Sequence, residues 1–276
     1  MIELYGVKTK GGESALEPLI TANYHTHSKY CRHASGEPED YAKDALTAGM
    51  KVLGFSDHTP YPFPDGYYSG FRMFPGDKKD YIADVLRCRE AFADKLEIHL
   101  GYEVEYYPRH FDALIKGLTA TECDYLILGQ HFTNNEYDGE YSGEETDDVG
   151  KLITYVDQVS EALETGLFSC LCHPELIHFS GPDEIYEEHM TRLVKTAIGT
   201  NTPLEINLRG IRFGAQYPDE RFFDIAAPLG AEFIIGVDAH DPDDLFPAPE
   251  YEKALEYVKK HNLRLLDRLE LKKPAV

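Results

Sequence analysis

Short apolar runs alternate along the chain with longer segments of helical periodicity. Ile20–Tyr24, Val52–Phe55, Ile98–Tyr102, Tyr125–Leu128, Phe168–Cys172, Leu204–Asn207 and Phe233–Gly236 are continuous apolar runs rather than period-two patterns. That is the signature of strands covered on both faces. Between them the spacing predicts helices. One begins at Glu37-Pro38-Glu39-Asp40, with Tyr41, Ala42, Ala45 and Leu46 on one face and Gly49 as its stop. Proline suits the first helical turn, and acidic residues suit the positive end of the helix dipole. Others run over Tyr81–Phe92, Phe111–Leu118, a stretch ending at Glu164, Glu184–Ile198, Phe222–Leu229 and Tyr251–His261, with Arg264–Leu266 as a last short strand. Two segments read as long loops: Thr59–Gly76, rich in proline, glycine and tyrosine, and the acidic Asn134–Asp148. Loops of that length commonly cover sites.

This βα alternation predicts a parallel sheet wrapped by helices. Polar groups end nearly every strand, which suits a closed barrel better than an open sheet, where only strands beside the switch point supply a site. The expected architecture is an α/β fold, a distorted seven-stranded (β/α)7 barrel with its site at the C-terminal strand ends. We read residues 1–276 as a single catalytic domain, with residues before Thr21 as an N-terminal cap.

Composition narrows the function classes. The net charge of −22 and the lack of a basic stripe disfavour nucleic acid and anionic membrane as partners, and favour a small substrate. No apolar run reaches membrane-spanning length and no secretory leader is evident, so a cytoplasmic location is expected. Five scattered cysteines without CxxC spacing read as reduced thiols.

The candidate chemistry sits where the apolar runs end. His25, His27 and His33 follow the first run, His58 the second, Glu103 the third, His131 the fourth, His173 the fifth, and Asp238 and His240 the seventh. Imidazole and carboxylate are ligands for borderline and hard divalent cations. A lone His-x-His is weak, but nine such donors at successive strand ends indicate a polynuclear metal centre. Such a centre performs metal-assisted hydrolysis. His99, His110, His189 and His261 fall inside predicted elements or at a helix end and read as packing or surface residues, whereas His178 lies near the His173 rim.

The ordered set His25-x-His27, His33, Ser56-Asp57-His58, Gly101-x-Glu103, His131, His173-Pro174-Glu175 and Asp238-x-His240 resembles the motif series of the polymerase-and-histidinol-phosphatase (PHP) superfamily. Gly129-Gln130-His131-Phe132 and Glu205-Ile206-Asn207 resemble its histidinol-phosphatase branch. The resemblance implies a distorted (β/α)7 barrel holding up to three divalent ions, manganese, iron or zinc. By position, His25, His27, Glu103 and Asp238 would hold the first, and His33, His58 and His240 the second. Glu103 would bridge to a third held by His131 and His173. Val237 and Gln130 stand where other branches often carry serine, and Ile177-His178 replaces a more basic pair. The implied activity is hydrolysis of L-histidinol phosphate in histidine biosynthesis. Its rivals are action on another small phosphate ester or on phosphotyrosine, or a non-catalytic metal-binding or polymerase-docking module.

Asp57 and Glu175 are candidates to orient ligand rings, and Asp57 is also a candidate general acid. The phosphate needs a guanidinium: Arg212 first, Arg209 second, both after the sixth strand, which lacks a proposed ligand, with Arg72 in the tyrosine-rich loop third. Tyr61, Tyr67 and Tyr68 could stack on an imidazole-bearing substrate.

Overall fold

The computed structural model describes residues 20–63, 66–119 and 122–274. The expected cap before Thr21 lies, but for Ile20, outside the described residues. The strands are β1 (Ala22–Asn23), β2 (Val52–Phe55), β3 (Glu97–Val104), β4 (Tyr125–Leu128), β5 (Phe132–Thr133), β6 (Glu140–Tyr141), β7 (Phe168–Leu171), β8 (Leu204–Asn207), β9 (Glu232–Gly236) and β10 (Arg264–Leu265). The helices are α1 (Pro38–Thr47), α2 (Lys78–Phe92), α3 (Phe111–Thr119), α4 (Val149–Glu164), α5 (Asp183–Gly199), α6 (Leu208–Phe213), α7 (Glu220–Leu229) and α8 (Ala248–His261).

Eight strands form one parallel sheet in the order β1-β2-β3-β4-β7-β8-β9-β10, the seven expected for the barrel and the expected last short strand. The sheet curls until its ends meet beyond the strands: Thr26 bridges Ala239, and the His27 amide donates to the Ala239 carbonyl at 2.8 Å. The result is the distorted barrel expected from the sequence. Helices pack outside it, over an apolar layer that includes Tyr41, Phe55, Leu100, Leu128, Val159, Leu193, Ile206 and Phe233. A smaller cluster built around Tyr125, Ile127, Cys170, Cys172 and Ile234 fills the inside. Among the described residues no helix is long and apolar enough to cross a membrane.

Local chemistry sets the element ends. Glu37 and Asp40 form a reciprocal capping box on α1, with Pro38 in its first turn. The Asp148 carboxylate accepts from the Gly150 amide to start α4, and Asp219 does the same for α7 from Arg221. Two elements were not foreseen. β5 and β6 form an antiparallel hairpin, pairing Phe132 with Tyr141, over the start of the expected acidic loop. α6 starts directly after β8, capped by the Asn207 side chain accepting from Gly210.

The Tyr125 hydroxyl donates to the carbonyls of Tyr24, at 2.8 Å, and Phe55, at 3.1 Å. Its ring occupies the space left by the missing side chains of Gly54 and Gly101, where a β-carbon would overlap it. This wedge fixes the mutual approach of β1, β2, β3 and β4. Gly101→Ala is therefore expected to lower unfolding free energy by about 1–3 kcal/mol through overpacking. Urea denaturation checks this; an unchanged midpoint would refute the wedge.

Candidate metal centre

All nine sequence-predicted donors converge at the C-terminal rim of the barrel. Each leaves a strand end or the turn beyond it, because parallel strands point their C-termini the same way. His25, His27, His58, Glu103, His173 and Asp238 are buried, whereas His131 and His240 are half-buried and His33 is exposed. His173 and Asp238 hold positive φ values of 30° and 53°. Side chains rarely adopt that region, and such strain concentrates at functional sites.

Four atoms form a compact donor cage. His25 Nε2 and His27 Nε2 are 3.1 Å apart. His25 Nε2 lies 3.4 Å from Glu103 Oε2 and 3.5 Å from Asp238 Oδ1, and His27 Nε2 lies 3.3 and 3.4 Å from the same two oxygens. A tetrahedral ion with bonds of about 2.0–2.1 Å sets its donors about 3.3 Å apart. The cage has that spacing. Its hydrogen bonding is also incomplete: buried Asp238 Oδ1 accepts no hydrogen bond, and two facing imidazole nitrogens can share at most one proton. A cation satisfies both.

Glu103 is the hub. Its Oε2 faces His25, His27 and, at 3.1 Å, His58 Nδ1. Its Oε1 faces His173 Nε2 at 3.1 Å and His131 Nε2 at 3.7 Å. Toward the mouth His33 Nε2 and His240 Nε2 stand 2.8 Å apart, with His240 Nδ1 3.3 Å from Asp238 Oδ1. His27, His58 and His240 form a further group of donors close enough for one ion.

The surrounding charges explain the protonation of the cluster. Burial alone would raise the carboxyl of Glu103, but His58, His131 and His25 outweigh it and hold it well below the usual range. Asp238 is held low likewise, by His25 and His240 against burial. Burial would depress His25, yet Glu205, Asp238 and Glu103 raise its proton affinity well above the usual imidazole range. His33 goes the other way, to about 4: its side chain reaches solvent at the mouth, but its ring is packed closely enough to lose water and stands beside His240 and His27.

Residues not anticipated from the sequence orient these donors. Glu205 Oε1 meets His25 Nδ1 at 2.8 Å, and its Oε2 accepts from the His173 amide at 3.1 Å. Asn207 donates to Glu205 Oε2 at 2.9 Å and to Asp238 Oδ2 at 3.1 Å. Glu105 Oε1 meets His131 Nδ1 at 2.9 Å. The sixth strand of the barrel, β8, thus carries a buried carboxylate rather than lacking a role. Two glycines make room: a β-carbon at Gly129 would collide with Glu103 Oε1, and one at Gly236 with Glu205 Oε1.

Above the cluster opens a cavity of about 240 Å³, lined by His33, His58, Glu103, His131, His173, Asp238 and His240 together with Phe71, Phe132, Tyr141, Leu176, Tyr217 and Arg209. Among the described residues, Arg209 is the one lysine or arginine in that lining. Its guanidinium lies 4.9 Å from the Phe213 ring centre.

Several expectations are corrected. Arg212, the first choice for the phosphate, turns away: it pairs with Asp244 and, through Nε at 3.0 Å, with Glu250. Arg209, one helical turn earlier in α6, is the one of the two that lines the cavity. Arg72 is buried and paired with Glu105 and Glu136. Asp57 is fully buried and accepts from the Ser28 and Cys31 amides at 2.9 and 3.0 Å and from the Ser28 hydroxyl at 2.8 Å. It ties down the turn from His27 to His33 and is not among the residues that line the cavity. Glu175 accepts from the Asp219 amide and orients no ligand ring. Tyr61 and Tyr67 bond Glu105 and Glu136, Tyr68 is exposed beside Phe74, and none of the three lines the cavity. His178 does not line it either.

Comparison with known proteins agrees with this geometry. The family profile described as PHP domain matches residues 23–209. A probable histidinol-phosphatase from Deinococcus radiodurans is 33% identical over 232 residues, covering 80% of this chain and 86% of the relative. One from Schizosaccharomyces pombe is 25% identical over 272 residues, covering 89% and 88%. The fold is similar, with a TM-score of 0.69 and 17% identity, to that of histidinol phosphate phosphatase from Lactococcus lactis subsp. lactis Il1403, crystallised with zinc, L-histidinol and phosphate; the match covers 91% of this chain and 98% of that one. The chain belongs to the PHP domain family.

Proposed function

We propose that this protein is a metal-dependent phosphomonoesterase that hydrolyses L-histidinol phosphate to L-histidinol and phosphate. The observation that carries the reading is Glu103: a buried carboxylate whose two oxygens face different groups of imidazoles at the base of a cavity with the Arg209 guanidinium in its wall. The names of the relatives from Deinococcus radiodurans and Schizosaccharomyces pombe support the substrate. So does the zinc, L-histidinol and phosphate found with the Lactococcus lactis protein of like fold.

In this reading up to three divalent ions, of zinc, manganese or iron, are held. His25, His27, Glu103 and Asp238 would hold one, His33, His58 and His240 a second, and His131 and His173, with Glu103, a third. Bound, they supply hydroxide near neutral pH and offset charge on the phosphoryl oxygens. The chain does the rest. Arg209 grips phosphate oxygens left free, Glu205 and Glu105 keep the rings of His25 and His131 in register, and Phe71, Phe132 and Tyr141 offer flat apolar surface to a ring-bearing leaving group.

Arginine choice separates the alternatives. Arg209→Ala should lower kcat/KM by roughly 30- to 1000-fold, the equivalent of about 2–4 kcal/mol of phosphate binding in the transition state. Arg212→Ala should leave it near wild type and act on stability instead. The reverse pattern in steady-state kinetics would reject Arg209 as the clamp.

Metal content gives a second test. Glu103→Gln should lose both bound metal and turnover. Gly129→Ala, which deletes no donor, should lose metal too by displacing Glu103. Elemental analysis finding full metal in both variants would exclude Glu103 as a bridge; His99→Ala is the control and should change nothing.

The raised proton affinity of His25 sets the pH dependence. Below its folded-state titration the ring holds a proton that an incoming cation must expel, so zinc affinity should rise with pH, by about tenfold per unit for each proton released. Calorimetry in buffers of different ionisation enthalpy should register that release near pH 7. Proton-neutral binding would contradict it.

Substrate choice is read from kinetics with purified, metal-loaded protein. Histidinol phosphate should exceed p-nitrophenyl phosphate in kcat/KM by orders of magnitude, because remote contacts help position the ester. Equal efficiency would indicate a generic phosphatase, and preference for phosphotyrosine peptides would overturn the substrate.

A further inference from the structure

Arg72 occupies a position that the reaction does not use directly. It is 3% exposed, and its guanidinium sits between two carboxylates from different parts of the chain. On one side it meets Glu105 through both oxygens, Nη1 to Oε2 at 3.1 Å and Nη2 to Oε1 at 3.0 Å. On the other it meets Glu136 Oε2 through Nε at 2.7 Å and Nη2 at 2.6 Å. Nη1 also donates to the Thr59 carbonyl at 3.2 Å.

Each arm ends at the cavity. Glu105 Oε1 meets His131 Nδ1 at 2.9 Å. A carboxylate only accepts, so the His131 ring carries its proton on Nδ1 and turns the Nε2 lone pair toward Glu103. One hydrogen bond, Nη1 to Oε2, and the ion-pair contact of Nη2 with Oε1, which lacks hydrogen-bond geometry, engage both Glu105 oxygens and hold that carboxylate against rotation. Glu136 lies in the turn of the β5–β6 hairpin, whose Phe132 and Tyr141 line the cavity, and Tyr67 donates to its Oε1 at 3.1 Å. Phe71, also in the lining, stacks its ring 4.7 Å from the guanidinium carbon.

We propose that Arg72 is a positioning residue that, through Glu105, fixes the His131 ring as an Nε2 donor and, through Glu136, locks the aromatic wall of the cavity to that donor. Donor geometry and wall geometry then become one property of the fold. The part concerning His131 rests on its assignment as a metal ligand, and the wall part does not. A lysine at this position carries the charge but cannot span two carboxylates in a fork, so charge alone does not replace it.

The test uses zinc-reconstituted full-length protein without substrate. In Arg72→Lys the slowly exchanging Nδ1–H resonance of His131 should disappear, zinc per chain should fall, and amides over 67–76 and 132–141 should exchange about tenfold faster. In Glu136→Gln, which leaves the Glu105 arm intact, exchange over 132–141 should rise while the His131 resonance and zinc content persist. Arg72→Lys with an unchanged His131 resonance and unchanged exchange would overturn the proposal, as would loss of the His131 resonance in Glu136→Gln. If wild-type protein binds no zinc, the metal reading has failed. The resonance and exchange comparison in metal-free protein then still decides the role of Arg72.

Discussion

The site depends on one buried negative charge. Glu103 sits at the centre of the rim, 1% exposed, with five imidazoles from four different strand ends around its two oxygens. A carboxylate cannot be taken out of water without compensation, and the compensation here is too abundant for one proton or one hydrogen bond. The strand ends deliver the imidazoles to that point, and Gly129 beside it leaves the space that a β-carbon would take from the carboxylate. Much of the polar architecture can be followed outward from this constraint. Glu205, Asn207 and Glu105 orient the donors, and Asp57 shapes the turn that brings His33 back over the rim.

The barrel interior serves the same end by different means. Tyr125 fills the space under Gly54 and Gly101, and its hydroxyl satisfies carbonyls of two other strand regions. This sets the approach of the strands that carry His25, His58 and Glu103. The strained backbone at His173 and Asp238 is held in place by Glu205 and Asn207, which bond the amide of one and the carboxylate of the other. Packing below and hydrogen bonding around the rim therefore converge on the same few atoms.

The strands, their parallel arrangement and the gathering of the nine candidate donors at one rim were legible in the sequence because each candidate follows an apolar run, and a strand end leaves little freedom for where the next side chain goes. Glu105 was missed, and Glu205 was noted only within a family motif and given no role, although the signal was present. Residues two apart on a strand share a face, so Glu105 follows Glu103, and Glu205 accompanies Asn207. Arg212 and Arg209 could not be ranked without knowing that a helix starts at Leu208. Three residues apart in that turn, one reaches the cavity and the other reaches Asp244 and Glu250. The tyrosine-rich loop misled for a related reason. Its hydroxyls satisfy buried carboxylate and carbonyl groups behind the wall, while the cavity-facing rings come from Phe71 and from a hairpin whose strands of two residues each leave almost no periodic trace.

The central claim is that Glu103 and the imidazoles around it form one polynuclear metal centre. X-ray absorption spectroscopy at the zinc edge on zinc-reconstituted protein tests it most directly. The account requires nitrogen and oxygen neighbours at about 2.0–2.1 Å with imidazole outer-shell scattering, and a zinc–zinc vector of about 3.5–4 Å. A sulfur shell, or zinc without imidazole scattering or a metal–metal vector, would contradict it.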